Sequence, residues 1–148
     1  MFAMLQRESA ISTIRSNGMR LTPQRLAVVD ALIATAGCHP NAEHIAREVG
    51  ANIAGVSLST IYKVLGELAD LGLVHRVTID GVVRFDENLE AHAHLRCERC
   101  EALVDLDTPQ ALIASLHNME ESNGVRATRF EVDLTGLCAE CNAAVLDC

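Results

Sequence analysis

An α+β fold in two parts is predicted by three features of this 148-residue chain. The first half carries apolar residues at helical spacing, punctuated by capping residues, and ends in an Asp80-Gly81 hairpin signal. The second half alternates apolar and polar residues in short stretches around one helix-length segment, the pattern of a small half-buried sheet. Two Cys-x-x-Cys pairs, Cys97 with Cys100 and Cys138 with Cys141, bracket that second half and are spaced to share a metal.

Leu5 to Ser16 reads as an amphipathic helix closed by Asn17-Gly18, a good C-terminal cap. Thr22 caps a second helix whose first position is Pro23. It runs through Leu26, Val29, Leu32 and Ile33 and stops at Gly37. Cys38-His39-Pro40 is a loop, after which Asn41 caps a third helix through Ile45 and Val49 to about residue 50. Ser57 or Ser59 caps a fourth over Thr60 to Asp70, with Ile61, Val64, Leu65 and Leu68 on one face and Gly72 ending it. Leu73 to Ile79 and Val82 to Phe85 are expected to be strands joined by the two-residue turn.

Short helices followed by a hairpin form the winged-helix pattern, in which the helix after the turn enters the DNA major groove with its N-terminal residues at the bases. Here that helix opens Ser57-Leu58-Ser59-Thr60-Ile61-Tyr62-Lys63. Arg20, Arg25, Ser59, Thr60, Tyr62 and Lys63 are the candidate DNA contacts, with solvated surface as the competing reading, particularly for Arg20. Tyr62 fits either a core position or a contact.

The expected organisation is a winged-helix DNA-binding domain over residues 1–86, a hinge at 87–90 and a dimerisation and metal-binding domain over 91–148. In the last, Ala91 to Arg96 and Ala102 to Leu106 are expected strands. Pro109 opens a helix to Glu121, with Leu112, Ile113 and Leu116 inward and Asn123-Gly124 closing it. Val125 to Leu134 is expected as a longer strand leading to the last cysteine pair. So few strands need another surface to cover them, and a homodimer also matches the two-fold symmetry of palindromic double-stranded DNA.

A net charge of −8 argues against a nucleic-acid binder until it is located. Residues 1–86 carry eight basic and eight acidic side chains, whereas residues 87–148 carry four against twelve. The first half is therefore neutral and the second acidic, which suits a DNA-facing part joined to a metal-binding part. No long apolar run opens the chain, so neither a membrane partner nor a signal peptide is expected and the location is cytoplasmic. Six cysteines in that compartment point to metal chemistry rather than disulfides.

Thiolates prefer zinc. Cys97, Cys100, Cys138 and Cys141 are expected to close a tetrahedral structural site, because a redox Cys-x-x-Cys at a thioredoxin-like helix start is not evident. The second donor set is His92 and His94, two apart on a strand and so on one face, with Asp86, Asp105 and His39. Imidazoles and carboxylates suit a more labile, redox-capable divalent metal, Fe(II) or Mn(II). His44 and His117 read as surface residues, Cys38 as a buried structural thiol, and Cys148 as incidental.

Leu21-Thr22-Pro23-Gln24-Arg25, His39-Pro40, Ser59-Thr60-Ile61-Tyr62-Lys63 with Gly72-Leu73-Val74, Arg84-Phe85-Asp86, His92-x-His94 and the two cysteine pairs resemble, in order, the ferric uptake regulator family. The likeness spans about residues 5 to 141 and is nearest to the peroxide-responsive (PerR) branch. It implies a homodimeric winged-helix transcriptional repressor that needs a regulatory metal, and no catalytic residues. The branch's regulatory ligands fall on His39, Asp86, His92, His94 and Asp105, and its oxidation-sensitive residues on His39 and His92. The family's additional His-rich site is missing, since Phe130 stands where a further His is expected. Two rivals remain: an iron- or manganese-responsive repressor of uptake genes without peroxide sensing, and a small metallohydrolase. Five protein ligands would leave the hydrolase little room for substrate and water. No small-molecule substrate is expected.

Overall fold

A computed structural model describes residues 4–127 and 130–146 and divides the chain into two units, Met1–Glu90 and Ala91–Cys148. The first unit holds α1 (Arg7–Ser16), α2 (Pro23–Ala34), α3 (Ala42–Asn52), α4 (Leu58–Asp70), β1 (His75–Ile79) and β2 (Val82–Asp86). Three helix starts are set by side-chain caps. Thr22 Oγ1 accepts from the Arg25 N–H at 3.2 Å, Asn41 Oδ1 from His44 at 2.8 Å, and Ser57 Oγ from Thr60 at 3.2 Å. Each cap satisfies a backbone donor that a helix start otherwise leaves unpaired. Ser57 thus takes the cap that sequence left open between Ser57 and Ser59, and α4 begins at Leu58 rather than Thr60.

The core of this unit is a three-helix packing of Val28, Val29 and Leu32 from α2, Ile45 and Val49 from α3, and Ile61, Val64, Leu65 and Leu68 from α4, with Ile14 of α1 against it. All are essentially withdrawn from solvent, and each such side chain contributes about 1.5–3 kcal/mol. β1 and β2 pair antiparallel with Ile79 opposite Val82, so Asp80 and Gly81 are the whole turn. Both have positive φ, 51° and 76°, as a type I′ turn needs. Helices followed by this hairpin are the winged-helix arrangement expected.

The second unit holds β3 (His92–Cys97), β4 (Leu103–Asp107), α5 (Gln110–Asn123), β5 (Val132–Gly136) and α6 (Ala139–Leu146). Its sheet has the order β4-β3-β5, antiparallel on one side of β3 and parallel on the other. The parallel pairing requires a crossover, which β4 and α5 supply between the ends of β3 and β5. Three expectations change here. The strand expected over Val125 to Leu134 is confined, among the described residues, to Val132–Gly136, and residues 128–129 lie outside them. Leu112 is exposed, and α5 buries no residue within the single chain, because this sheet has too little surface of its own to cover the helix. The last cysteine pair opens a helix, α6, that apolar spacing over so short a segment does not announce. No helix among the described residues is long and apolar enough to cross a membrane.

Candidate metal centres

The four expected thiols meet. Cys97 ends β3 and Cys100 follows it in a tight turn, where the Glu101 N–H donates to Cys97 O at 3.0 Å and the Cys97 N–H to Ala102 O at 2.9 Å. The Glu98 N–H donates to Gly136 O at 2.7 Å, which draws this turn against the end of β5, two residues before Cys138. One sulfur from each of the four cysteines lies within 4.8 Å of the others. Cys100 Sγ and Cys138 Sγ are 3.8 Å apart, far beyond a disulfide bond of about 2.05 Å. Four sulfurs held at about 2.3 Å from one zinc stand about 3.8 Å from each other, so the spacing fits a tetrahedral site.

The electrostatics agree. Backbone N–H groups of Cys138 and then Cys100 hold the Cys97 thiol down to about 6. Burial, and then the neighbouring thiols of Cys138, Cys97 and Cys100, push Cys141 up to about 12. Four adjacent thiols cannot all ionise unaided, and a dication is what lets them. Cys138 and Cys141 do sit at a helix start, contrary to expectation. The convergence of a second pair on them gives a four-thiol cluster that could hold a metal ion, which a dithiol couple does not need.

The imidazole and carboxylate donors are placed in both units. In the first, His39 Nε2 lies 3.8 Å from Asp86 Oδ2, both residues 1% exposed. His39 has φ 46°, a left-handed value that turns its side chain inward while Cys38 beside it faces solvent. Cys38 is thus not the buried thiol expected. The loop is fastened to β2: the Phe85 N–H donates to Pro40 O at 2.9 Å, and Arg84 Nη1 to His39 O at 3.2 Å. Asp86 Oδ1 also accepts from the Asn88 N–H at 2.8 Å.

In the second unit, His92 and His94 project from one face of β3, and Asp105 on β4 stands directly opposite His94. The two Nε2 atoms are 2.9 Å apart, and Asp105 Oδ1 is 3.6 Å from the first and 3.7 Å from the second. Two imidazole nitrogens that close cannot both present a proton to each other, so at least one lone pair faces the space it shares with the other nitrogen and a carboxylate oxygen. That donor set is what a divalent cation of intermediate hardness takes. Sequence reasoning missed Asp133, whose Oδ1 lies 3.6 Å from His94 Nδ1.

The candidate DNA contacts divide into two groups. Arg20, Ser59, Tyr62 and Lys63 are exposed and Thr60 is half-buried. The Ser57, Ser59 and Thr60 hydroxyls share hydrogen bonds of 2.9 Å about the α4 cap. The Tyr62 hydroxyl donates to Glu43 Oε1 at 2.9 Å, and that bond is the main reason its pKa is raised. Arg25 is engaged elsewhere: its guanidinium forks onto both Glu67 oxygens at 2.9 and 3.1 Å and donates to Arg20 O. His117 is exposed and His44 half-exposed, as surface residues are. Cys148 lies outside the described residues.

A family model, the ferric uptake regulator family, matches residues 16–135. The chain is 34% identical over 137 residues to the peroxide-responsive repressor PerR of Staphylococcus saprophyticus, covering 92% of this chain and 91% of that one. Among solved structures it is similar to the Helicobacter pylori ferric uptake regulator Fur, with a TM-score of 0.75, 20% identity and coverage of 94% and 96%. It is also similar to the Campylobacter jejuni peroxide stress regulator, with a TM-score of 0.67, 26% identity and coverage of 88% and 98%. A family match over residues 16–135, with a relative 34% identical over nine-tenths of both chains, makes the chain a member of the ferric uptake regulator family, near its peroxide-responsive branch.

Proposed function

We propose that this metal-dependent transcriptional repressor senses peroxide through oxidation of a ligating histidine, His39 or His92. As a member of its family it is a regulator and not an enzyme. The observation that carries the reading is the convergence of His92 Nε2, His94 Nε2 and Asp105 Oδ1, donors suited to Fe(II) or Mn(II), in a chain 34% identical to a peroxide-responsive repressor. We assign His39 and Asp86 to the same regulatory ligand set, and Cys97, Cys100, Cys138 and Cys141 to structural zinc.

Residues 1–86 are the DNA-binding domain, 87–90 the hinge and 91–148 the dimerisation and metal-binding domain of a cytoplasmic homodimer. The regulatory ligands are drawn from both sides of the hinge in sequence, so a full set favours one arrangement of the dimer over others. That arrangement presents two α4 helices to successive major-groove turns of a palindromic operator, roughly 34–36 Å apart. Ser59, Thr60, Tyr62 and Lys63 lie on the presented helix, with Arg20 beside it and Arg25 bracing it through Glu67. Fe(II) held by His39, Asp86, His92, His94 and Asp105 would activate peroxide beside an imidazole, the ring itself giving up the two electrons that reduce it. One peroxide oxygen enters the ring C–H and the other leaves as water. An oxidised ring is a poorer donor, the set is broken, and the operator is released.

The test is peroxide treatment of the Fe(II)- and Mn(II)-loaded protein followed by peptide mass spectrometry. One added oxygen on His39 or His92 in the iron form, and little in the manganese form, is expected. An iron form with neither residue modified removes peroxide sensing and leaves a metal-responsive repressor.

A further inference from the structure

β5 lies parallel to β3 with Asp133 paired to His94, so the two side chains share one face of the sheet. Asp133 Oδ1 stands 3.6 Å from His94 Nδ1, while the other ring nitrogen of His94 faces His92 Nε2 at 2.9 Å and Asp105 Oδ1 at 3.7 Å. A neutral imidazole carries one proton; Nδ1 faces the Asp133 carboxylate whereas Nε2 also meets the second imidazole, and a proton on Nδ1 leaves Nε2 with its lone pair. We propose that Asp133 is a positioning residue for the regulatory metal. Its carboxylate fixes His94 as the Nδ1–H tautomer and aims the Nε2 lone pair at the point where His92 and Asp105 converge.

This rests on the reading of His94 as a regulatory ligand. At 3.6 Å the contact is an ion-pair distance rather than a formed hydrogen bond, and the Asp133 side chain is 54% exposed, so a small rotation closes it. A carboxylate behind a ligating imidazole orients the ring and raises its basicity, and its loss typically weakens metal affinity about ten- to a hundredfold. The strands give the device a second consequence. β3 carries His92 and His94 at its start and Cys97 at its end, and β5 carries Asp133 as its second residue and leads to Cys138. The thiol knuckle therefore holds the register in which Asp133 faces His94.

The experiment titrates Mn(II) into the full-length, zinc-containing protein, following free Mn(II) by electron paramagnetic resonance, for wild type, D133A, D133N and H94A. Imidazole 15N–1H correlation of the protein before Mn(II) is added reads the His94 tautomer. D133A is expected to bind about ten- to a hundredfold more weakly and to lose the pure Nδ1–H form. D133N, whose amide oxygen still accepts that proton, is expected to restore most of both, with zinc content unchanged throughout. A D133A protein with wild-type affinity and an unchanged tautomer overturns the proposal, as does a D133N protein as weak as D133A, which would make long-range charge the cause. H94A binding Mn(II) as wild type does would overturn the ligand reading itself, a result distinct from a neutral D133A beside a weakened H94A.

Discussion

Single side chains decide whether this chain can hold its metals. Cys97 is already lowered towards thiolate by backbone donors, while Cys141 is held as a thiol by burial and its neighbours, so the cluster is poised for a dication rather than for one more proton. Structural zinc sites of this kind contribute on the order of 10–16 kcal/mol to small metallo-domains. Cys100→Ser is therefore expected to lose zinc and the folded dimer together, read by metal analysis and size-exclusion chromatography; a zinc-free dimer with wild-type melting contradicts the assignment. The meeting of the four thiols was legible from residue type and spacing, since Cys-x-x-Cys twice over has few other uses in one small domain. His92 and His94 were legible as a pair from strand period alone. Asp133 was not, because which residue of β5 faces His94 depends on a parallel register that no local pattern encodes. Nor was Cys38, whose exposure follows from the positive φ at His39 and not from its own chemistry.

At the scale of elements, α4 is set by its cap and by Arg25. The two hydrogen bonds from Arg25 to Glu67 tie α2 to α4 with both partners mostly sheltered, 16% and 20% exposed. Hydrogen bonds to charged groups contribute about 1.5–3 kcal/mol each, so Arg25→Ala should lower stability by a few kcal/mol, and Arg25→Lys should recover little because an ammonium cannot fork. A thermal melt of R25A equal to that of wild type would return Arg25 to the list of free cations. Lys63, exposed on the same helix, has the opposite expectation. Lys63→Ala should leave metal content and melting unchanged, weaken DNA binding, and reduce the salt slope by about 1. Unchanged binding across a salt series removes Lys63 from the interface. The starts of α2, α3, α4 and β2 were readable to within a few residues because Thr22-Pro23, Asn41, Ser57 and Asp80-Gly81 carry local capping and turn chemistry. β5 and α6 were not. Alternation continues a strand pattern through residues 125–127 and 130–131, which are outside the named strands, and the eight residues of α6 are too few for helical period to show.

At the scale of the molecule, the second unit leaves Leu112, Met119, Val125, Phe130 and Leu134 exposed, and β5 is an edge of its sheet. An apolar, unpaired edge is what a second copy of a dimeric regulator covers. Leu134→Glu is expected to shift the protein to monomer by light scattering while zinc stays bound, and an unaltered dimer would place the interface elsewhere. Residues 87–148 are acidic and residues 1–86 neutral, so bulk charge does not draw this chain to DNA, and metal and salt must both be controlled in any binding experiment. The most direct measurement is the affinity of the zinc-containing dimer for a palindromic duplex, selected on the loaded protein, as Mn(II) is titrated at fixed salt. Affinity for wild type should rise steeply with Mn(II) and stay at the metal-free level for His92→Ala. A His92→Ala protein whose DNA affinity follows Mn(II) as wild type does would contradict the account.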